Sequence, residues 1–399
     1  MKTRILIAAM AYDGERGGGS MRIAYDLATL LARHGYQMTV VCEDLYGRGV
    51  ERETINGITV LRYRLPKSDG LSFRRHIEHI RAAKNLVNKH LTEAPEVVHG
   101  HSTFQYFSIL NMFQNQSRCC YTIHSPAIDE LRITWGGQKI KGKLKLLLGL
   151  SIIRKLERSL IYRSSGLTAL SNYTISLIAG HYGNVVARKI QVIPGWVNLE
   201  RFQRLPQNQV GAVKRQMGWP TDVPLFFILR RLEPRMGLDN LLRAIVLVKK
   251  YGYGLHVAIG GSGSLRSKLE KMRNELGLED DVTFMGFMPA DSLPLAYGAC
   301  DASVIPTAQL ECFGIIALEA LACGCTTLVT PVGALPEVMQ NFEPAWIARD
   351  ATSEGIANIL LAFLRKLLPY HEPQELHNLV EQNYSAEKAV NAYERLLLQ

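Results

Sequence analysis

Several features that would place a protein in a class at once are missing from this sequence. No run of 18 apolar residues occurs, so no transmembrane helix is expected. No tandem repeat or low-complexity segment is present, which argues against a repeat protein. No helix-turn-helix, zinc module or aromatic-interleaved RNA motif is visible, so nucleic acid is not an expected partner.

Ligands for a metal ion are also scarce. The seven cysteines include no two pairs with the spacing of a zinc site. There is no Asp-x-Asp dyad and no pair of carboxylates placed for acid-base chemistry. We therefore expect no metal site and no cofactor. Cysteines in apolar runs, such as Cys42, indicate buried thiols in a reducing compartment, so a cytoplasmic location is expected.

The N-terminal segment has two interpretations. Residues 5–11 are apolar and follow Lys2 and Arg4, which is the order found in a secretory signal peptide. The same residues are typical of the first strand of a parallel sheet that leads into a glycine loop. Because the apolar stretch is at the lower length limit for a signal peptide, we favour the strand.

Composition indicates a soluble globular protein. Hydrophobic residues make up 47% of the chain, charged residues 21%, and mean hydropathy is zero. Charge is uneven: residues 1–199 carry 27 lysines and arginines against 14 acidic residues, a net +13, and residues 200–399 carry 19 against 22, a net −3. The basic half indicates an anionic partner.

Short β-rich runs alternate with helical periodicity through both halves of the chain. The first strand is expected at residues 4–9 and the first helix at residues 21–34, and a second series begins with a strand at residues 224–229. This alternation is typical of parallel sheets flanked by helices, so the fold class is α/β.

A length of 399 residues favours two domains. We expect one over residues 1–203 and another over residues 204–384, with a linker at residues 204–209. The final helix, over about residues 385–399, is a candidate to pack back on the first domain.

The most informative motif lies in the second half. Glu311 and Glu319 are eight positions apart, with Phe313-Gly314-Ile315 between them. If Glu311 lies on a loop and a helix covers residues 313–322, the free amides of the helix N-terminus attract a diphosphate. Glu311 could then bind sugar hydroxyls and Glu319 a ribose. Two glutamates flanking an ordinary helix give the same spacing.

Glycine-rich and basic loops follow other strands. Gly17-Gly18-Gly19-Ser20 and Gly260-Gly261-Ser262-Gly263 each end a strand, and glycine lets backbone amides approach a phosphate. Arg230, Arg231 and Arg235 follow the strand at residues 224–229 and could neutralise a diphosphate. Three solvated surface arginines are the other interpretation.

Three histidines lie at strand ends. His99 and His101 belong to Val97-Val98-His99-Gly100-His101-Ser102, and His124 ends Tyr121-Thr122-Ile123-His124. A lone histidine is more often a satisfied structural residue than a ligand. We keep the structural interpretation for His99 and His101 and favour a functional role for His124.

In their order along the chain, these motifs resemble family 4 of the retaining glycosyltransferases, from Gly17 to about Tyr384. The resemblance implies the GT-B architecture, in which two Rossmann-like domains face each other across a cleft. It also implies a metal-independent, hexosyltransferase-type enzyme that moves a sugar from a nucleotide-sugar donor to a hydroxyl acceptor, such as a lipid-linked or polysaccharide intermediate. By the same resemblance the catalytic residues are His124, Glu311 and Arg231, and the donor-binding residues are Gly18, Gly19, Arg235, Gly261, Phe313, Gly314, Ile315 and Glu319.

The sequence departs from the family pattern at several positions. Met21 stands where the family often has glutamate, and Arg230 replaces a glycine. Met236 stands at the lysine of the pair that clamps the diphosphate, which leaves Arg235 as a substitute cation. Two other classes therefore stay open: a catalytically weak nucleotide-sugar-binding protein, and a GT-B sugar epimerase, which needs no acceptor.

A basic, leucine-rich segment runs from Lys139 to Arg158, with no acidic residue before Glu157. Such segments can lie on anionic membranes. An anionic membrane surface is therefore a further candidate partner, with the protein peripheral on the inner face. A core-packed helix with a solvated basic rim is the alternative.

Overall fold

A computed structural model describes residues 2–14, 16–65, 73–135 and 140–399, with only the backbone described for helix residues 73–76, 134–135 and 140–148. The chain forms two compact units. The first consists of Met1–Pro194 and Glu387–Gln399, and the second of Gly195–Ala386. Each contains a sheet with helices, as the alternation of strand and helix patterns predicts.

The strands of the first unit are β1 (Arg4–Ala8), β2 (Gln37–Glu43), β3 (Arg52–Ile55), β4 (Ile58–Tyr63), β5 (Val97–Gly100), β6 (Arg118–Ile123), β7 (Gly166–Ala169) and β8 (Ile190–Val192). In the described residues they form one sheet in the order β3-β4-β2-β1-β5-β6-β7-β8. Pairing is antiparallel only between β3 and β4, where Asn56 and Gly57 take the positive φ values of a two-residue hairpin turn. The strand order reverses at β1, where ligands of such sheets commonly bind.

Helices cover both sides of the central strands in the first unit. They are α1 (Gly19–Arg33), α2 (Phe73–His90), α3 (Thr103–Phe113), α4 (Ala127–Trp135), α5 (Ile140–Arg163), α6 (Asn172–Tyr182) and α7 (Asn184–Ala187). Helix α1 buries Ile23, Leu27 and Leu31, which recur every four residues on one face. The central strands β1, β5 and β6 are buried on both faces along most of their length, as is usual for parallel strands between helix layers.

The strands of the second unit are β9 (Leu225–Leu229), β10 (His256–Gly260), β11 (Val282–Gly286), β12 (Ala302–Ile305) and β13 (Thr327–Val329). They form a parallel sheet in the order β11-β10-β9-β12-β13. Strand β9 is central and buries Leu225, Phe226, Phe227 and Ile228. The strand order reverses at β9, so the loops after β9 and β12 flank the switch point of this sheet.

The helices of the second unit are α8 (Gln207–Gln216), α9 (Leu238–Lys250), α10 (Arg266–Glu275), α11 (Ser292–Ala299), α12 (Ile315–Ala322), α13 (Leu335–Met339), α14 (Ser353–Leu364) and α15 (Pro373–Tyr384), with short 3-10 helices at Pro234–Met236 and Pro344–Trp346. The last helix, α16 (Ala386–Leu398), returns to the first unit, where Arg118 Nε and Nη2 donate to the Leu396 carbonyl at 3.1 and 3.0 Å. Among the helices of the described residues, none has both the length and the apolar character needed to cross a membrane.

Some boundaries differ from those expected. The chain leaves the first unit after Pro194 rather than near residue 203. The polar stretch expected as a linker contains the start of α8, which Pro206 precedes as a proline commonly does near a helix N-terminus. The helix expected over residues 313–322 begins at Ile315, because Gly314 takes a left-handed conformation with φ 89°.

Candidate active site

A buried ion pair lies at the carboxyl edge of the sheet in the second unit. Arg230 follows β9 directly, and Glu311 lies on the loop after the neighbouring strand β12. Arg230 Nη2 donates to Glu311 Oε2 at 2.5 Å and also to Thr307 Oγ1. The two charged side chains are only 7% and 12% exposed. Arg230 thereby fixes the position of the Glu311 carboxylate.

Glycines from two other loops support this pair through its backbone. A Cβ atom on Gly261, which has φ 118°, would lie 1.9 Å from the Arg230 carbonyl oxygen. A Cβ atom on Gly333, which has φ 66°, would lie 2.1 Å from the Glu311 carbonyl oxygen. The Ala334 amide also donates to that oxygen at 2.7 Å. Only glycine fits at these two positions, so the Gly261 loop acts at least by shaping the backbone around Arg230.

Helix α12 starts directly behind Glu311. The amides of Ile315 and Ile316 have no hydrogen-bond acceptor among the described residues, which is normal for the first turn of a helix. Such amides can receive an anion. The Phe313 ring is buried against Gly195, where a Cβ atom would lie 2.5 Å from the ring. Phe313 is therefore placed to contact a ligand with its backbone rather than with its ring.

Glu319 lies further along α12 and is 8% exposed. Burial, together with the neighbouring Glu319 carboxylate, holds the pKa of Tyr297 on α11 well above its usual value. Burial and the same carboxylate also raise the pKa of the Cys323 thiol. Glu319 is thus buried, with Tyr297 and Cys323 among its neighbours. Glu311 is instead held by Arg230.

The three arginines of the basic loop have different environments. Arg230 is buried in the ion pair. Arg231 is exposed, and its side chain has no hydrogen bond or ion pair to another residue in the described ranges. Arg235 Nη1 donates to the Leu310 carbonyl at 2.5 Å, and the neighbouring Met236 is 3% exposed. The sequence did not predict Arg230 as the partner of Glu311. Its position right after a strand was visible, but the adjacency of β9 and β12 depends on the topology.

In the first unit, the three histidines singled out in the sequence lie together at the ends of β5 and β6. His101 Nδ1 is 2.9 Å from His124 Nε2, and His101 Nε2 is 3.2 Å from His99 Nδ1. His99 Nε2 is 2.8 Å from the Thr122 hydroxyl, which is 3.5 Å from the Tyr393 hydroxyl of α16. His124 Nδ1 is buried and has no hydrogen-bond partner in the part of the chain that is described.

Burial makes all three rings poor bases. It lowers the pKa of His99 to about 3 and that of His124 to about 4, and the pKa of His101 lies well below its usual value because of burial and the neighbouring histidines. The imidazoles are therefore neutral at neutral pH. From the sequence, His99 and His101 are expected to be structural and His124 functional, whereas hydrogen bonds join all three in the structure. Tyr393 is 271 residues beyond Thr122, so no local pattern in the sequence places it here.

Gly18 and Gly19 lie at the start of α1. Gly18 precedes the helix with φ −85°, and a Cβ atom there would meet nothing within 4 Å. Gly19 is exposed as the first residue of the helix. The fold itself does not require a glycine at Gly18, so the backbone there is open to a ligand. Among the described residues, no group of three or more His, Cys, Asp or Glu side chains is arranged to hold a metal ion.

Two α/β units, each built on a mainly or wholly parallel sheet with polar residues at strand ends, define a doubly wound class of fold. The family model described as Glycosyltransferase Family 4 matches residues 17–201, and that described as Glycosyl transferases group 1 matches residues 211–386. The chain belongs to this family of glycosyltransferases. The family and the fold class expected from the sequence, a GT-B protein of two Rossmann-like domains, are therefore confirmed.

Individual relatives agree with this assignment. An uncharacterized glycosyltransferase from Methanocaldococcus jannaschii is 24% identical over 98% of this chain and 97% of its own length. The GDP-mannose-dependent alpha-(1-6)-phosphatidylinositol monomannoside mannosyltransferase of Mycobacterium tuberculosis is 27% identical, over 53% of this chain and 57% of that relative. The sucrose-phosphate synthase from Thermosynechococcus elongatus shares the fold, with a TM-score of 0.77, 18% identity, and coverage of 99% and 98% of the two chains.

Proposed function

We propose that this chain is a retaining glycosyltransferase that uses no metal or other cofactor and moves a sugar from a nucleotide-sugar donor to a hydroxyl acceptor. The observation that carries the proposal is the Glu311 carboxylate, which Arg230 holds in front of the first turn of α12. A fixed carboxylate beside open helix amides suits a ligand that combines hydroxyl groups with a diphosphate. The M. tuberculosis relative is named for such a donor, GDP-mannose.

In this proposal the second unit binds the donor. Glu311 accepts hydrogen bonds from hydroxyls of the donor sugar. The amides of Ile315 and Ile316 receive the diphosphate, and Glu319 accepts hydrogen bonds from the ribose. Glu311 lies on the loop just before α12 and Glu319 lies within that helix, so one continuous segment orients both parts of the donor.

Negative charge that builds up on the departing nucleotide has to be neutralised. Arg231 is assigned this role because its guanidinium is exposed and free of contacts with other described residues. Arg235 is held by the Leu310 carbonyl, and Met236 is buried at the position of the family's lysine. Arg231 is therefore the main cation for the diphosphate, and Arg235, whose Nη1 is engaged by Leu310, has a smaller role. His124 is assigned to the donor sugar near the reacting carbon.

The acceptor is proposed to be a glycan or a lipid-linked hydroxyl compound. The mycobacterial relative is named for a phosphatidylinositol monomannoside, which is a lipid. On α5, Ile152 and Tyr162 are 40% and 57% exposed, and Arg158 lies over the Tyr162 ring. Apolar and basic groups on one helix suit an anionic membrane surface. Lys139 lies outside the described residues, as do the side chains of residues 140–148.

Nucleotide binding is the first test of the proposal. Purified protein is heated with UDP, GDP or ADP, and a ligand at 100 times its dissociation constant adds about 2.7 kcal/mol to the free energy of unfolding. Transfer to a panel of glycosides and lipid-linked sugars is then measured with excess EDTA, and the anomeric configuration of the product is read by NMR. Absence of stabilisation by every nucleotide would contradict the proposal, and an inverted product or loss of transfer with EDTA would contradict its mechanism.

A nucleotide-sugar-binding protein with weak activity is the second candidate. Met236 at the lysine position favours it, because the diphosphate clamp then lacks its second cation. Binding of a nucleotide-sugar without transfer or donor hydrolysis would support this candidate. Change of the donor sugar without an acceptor would instead indicate an epimerase.

A further inference from the structure

The histidines of the first unit form a continuous series of hydrogen bonds that the proposed function does not explain. The series runs from His124 through His101 and His99 to Thr122 and Tyr393, with separations between 2.8 and 3.5 Å. Four of its members are buried, and His124 is half-buried as a residue although its Nδ1 atom is buried. At its outer end, His124 Nδ1 has no partner among the described residues.

A neutral imidazole has one N–H donor and one acceptor nitrogen. Each of the inner rings uses both nitrogens in the series, so a donor at one end forces the orientation of every ring. Only two arrangements are possible. Either all three rings carry their proton on Nε2, or all three carry it on Nδ1.

The Thr122 hydroxyl distinguishes the two arrangements, because it has one proton. The geometry has Thr122 donating to the Tyr393 oxygen, and the same contact partly offsets the burial that raises the pKa of Tyr393. A hydroxyl that donates to Tyr393 has to accept from His99 Nε2. His99 Nδ1 then accepts from His101 Nε2, and His101 Nδ1 accepts from His124 Nε2.

We propose that His99, His101, Thr122 and Tyr393 are positioning residues that hold His124 in the Nε2–H tautomer, so that its Nδ1 presents a lone pair. The ligand group that fits there is a hydroxyl that donates a hydrogen bond. That this hydroxyl belongs to the donor sugar rests on the proposed function. The tautomer itself does not depend on it.

NMR of the full chain with ¹⁵N-labelled histidine tests the tautomers at pH 7.5. Long-range ¹H–¹⁵N correlations show which ring nitrogen carries the proton, and the three rings are assigned with the single variants His99→Gln, His101→Gln and His124→Gln. We expect Nε2–H in all three. Nδ1–H in all three, or a mixture of tautomers among them, overturns the proposal.

A pair of matched variants tests the control by Thr122. Thr122→Val removes the hydroxyl that accepts from His99, and Thr168→Val makes the same change at the position paired with it on β7. Both threonines are buried, but Thr168 is outside the series. We expect the Nδ1–H form of His124 to appear in Thr122→Val and not in Thr168→Val. An unchanged tautomer in Thr122→Val overturns the proposal, even if that variant is less stable.

Donor binding separates this inference from the proposed function. Nucleotide-sugars that carry the nucleotide selected by the thermal panel are titrated into both variants. We expect up to about a tenfold loss of affinity in Thr122→Val, which is the worth of one neutral hydrogen bond, and no loss in Thr168→Val. If the tautomers are as expected but no nucleotide-sugar changes the His124 resonances, the series stands and the sugar-binding role of His124 fails.

Discussion

Polar side chains gather at the carboxyl edge of the sheet in both units, but they are neutral in the first and charged in the second. The three histidines share hydrogen bonds in series, whereas Arg230 and Glu311 form an ion pair. Removing one member of a neutral series breaks one or two hydrogen bonds, and a buried group left without its partner typically costs about 1–3 kcal/mol of stability. Removing one member of a buried ion pair leaves an uncompensated charge, which costs more. The two edges should therefore respond differently to mutation and to pH.

The largest effect is expected from breaking the ion pair. Arg230→Ala and Glu311→Ala each leave one buried charge alone, so each should lower the free energy of unfolding by about 3–5 kcal/mol. The double variant Arg230→Met/Glu311→Leu should recover most of this loss, because no charge stays buried. Urea unfolding measures all three. Arg231→Ala is the control and should change stability by at most about 0.5 kcal/mol.

The next largest effect is expected from Arg231, and it concerns catalysis rather than stability. Arg231→Met should slow turnover by raising the activation free energy by about 2.7–4 kcal/mol, by analogy with the loss of a transition-state hydrogen-bond donor. Arg235→Met should reduce it less, because Arg235 is held by the Leu310 carbonyl. Steady-state kinetics of both variants measure the difference. A larger loss in Arg235→Met would mean that Arg235 has taken the role of the missing lysine.

The first unit should differ from the second in how its stability responds to acid. The folded-state pKa values of His99 and His124 are lowered to about 3 and about 4, so the unfolded chain binds more protons below pH 6.5 and stability falls as pH decreases. Burial raises the pKa of Glu157 to about 7, which acts in the opposite direction between about pH 4.5 and 7. The three histidines outweigh the one glutamate, so the free energy of unfolding should fall by about 2–3 kcal/mol between pH 6 and pH 5.

Hydrogen exchange of β5 and β6 peptides at the two pH values measures this loss locally. In His99→Gln, the slope of the unfolding free energy against pH should decrease by about 1.4 kcal/mol per pH unit, since one titrating group is gone. Equal acid sensitivity of the wild type and the variant would show that the histidines are not the cause.

The contrast between the two edges also separates what the sequence could predict from what it could not. Strand positions such as β9 and β10 followed from apolar runs bounded by glycine and proline. His124 stood out as a polar residue right after such a run, and Glu311 by its spacing from Glu319. The Arg230–Glu311 contact needs the spatial order of β9 and β12, which is a property of the whole sheet. Tyr393 reaches Thr122 only because α16 returns to the first unit. Local pattern locates strand ends, and topology decides which of them meet.

The smallest effect is expected at Glu319, a charged residue of the second unit that takes no part in the Arg230–Glu311 ion pair. If Glu319 binds the ribose, Glu319→Gln should weaken nucleotide binding by about 1–1.5 kcal/mol, because a charged acceptor worth about 1.5–3 kcal/mol becomes a neutral one worth about 0.5–1.5 kcal/mol. Calorimetry with the nucleotide that the thermal panel selects measures the loss. A 2′-deoxy nucleotide is the matched control ligand, since it lacks a ribose hydroxyl and should bind wild type and Glu319→Gln more nearly alike. Equal weakening for both nucleotides would place the role of Glu319 in the packing of α12 against α11, and would make its carboxylate a structural charge.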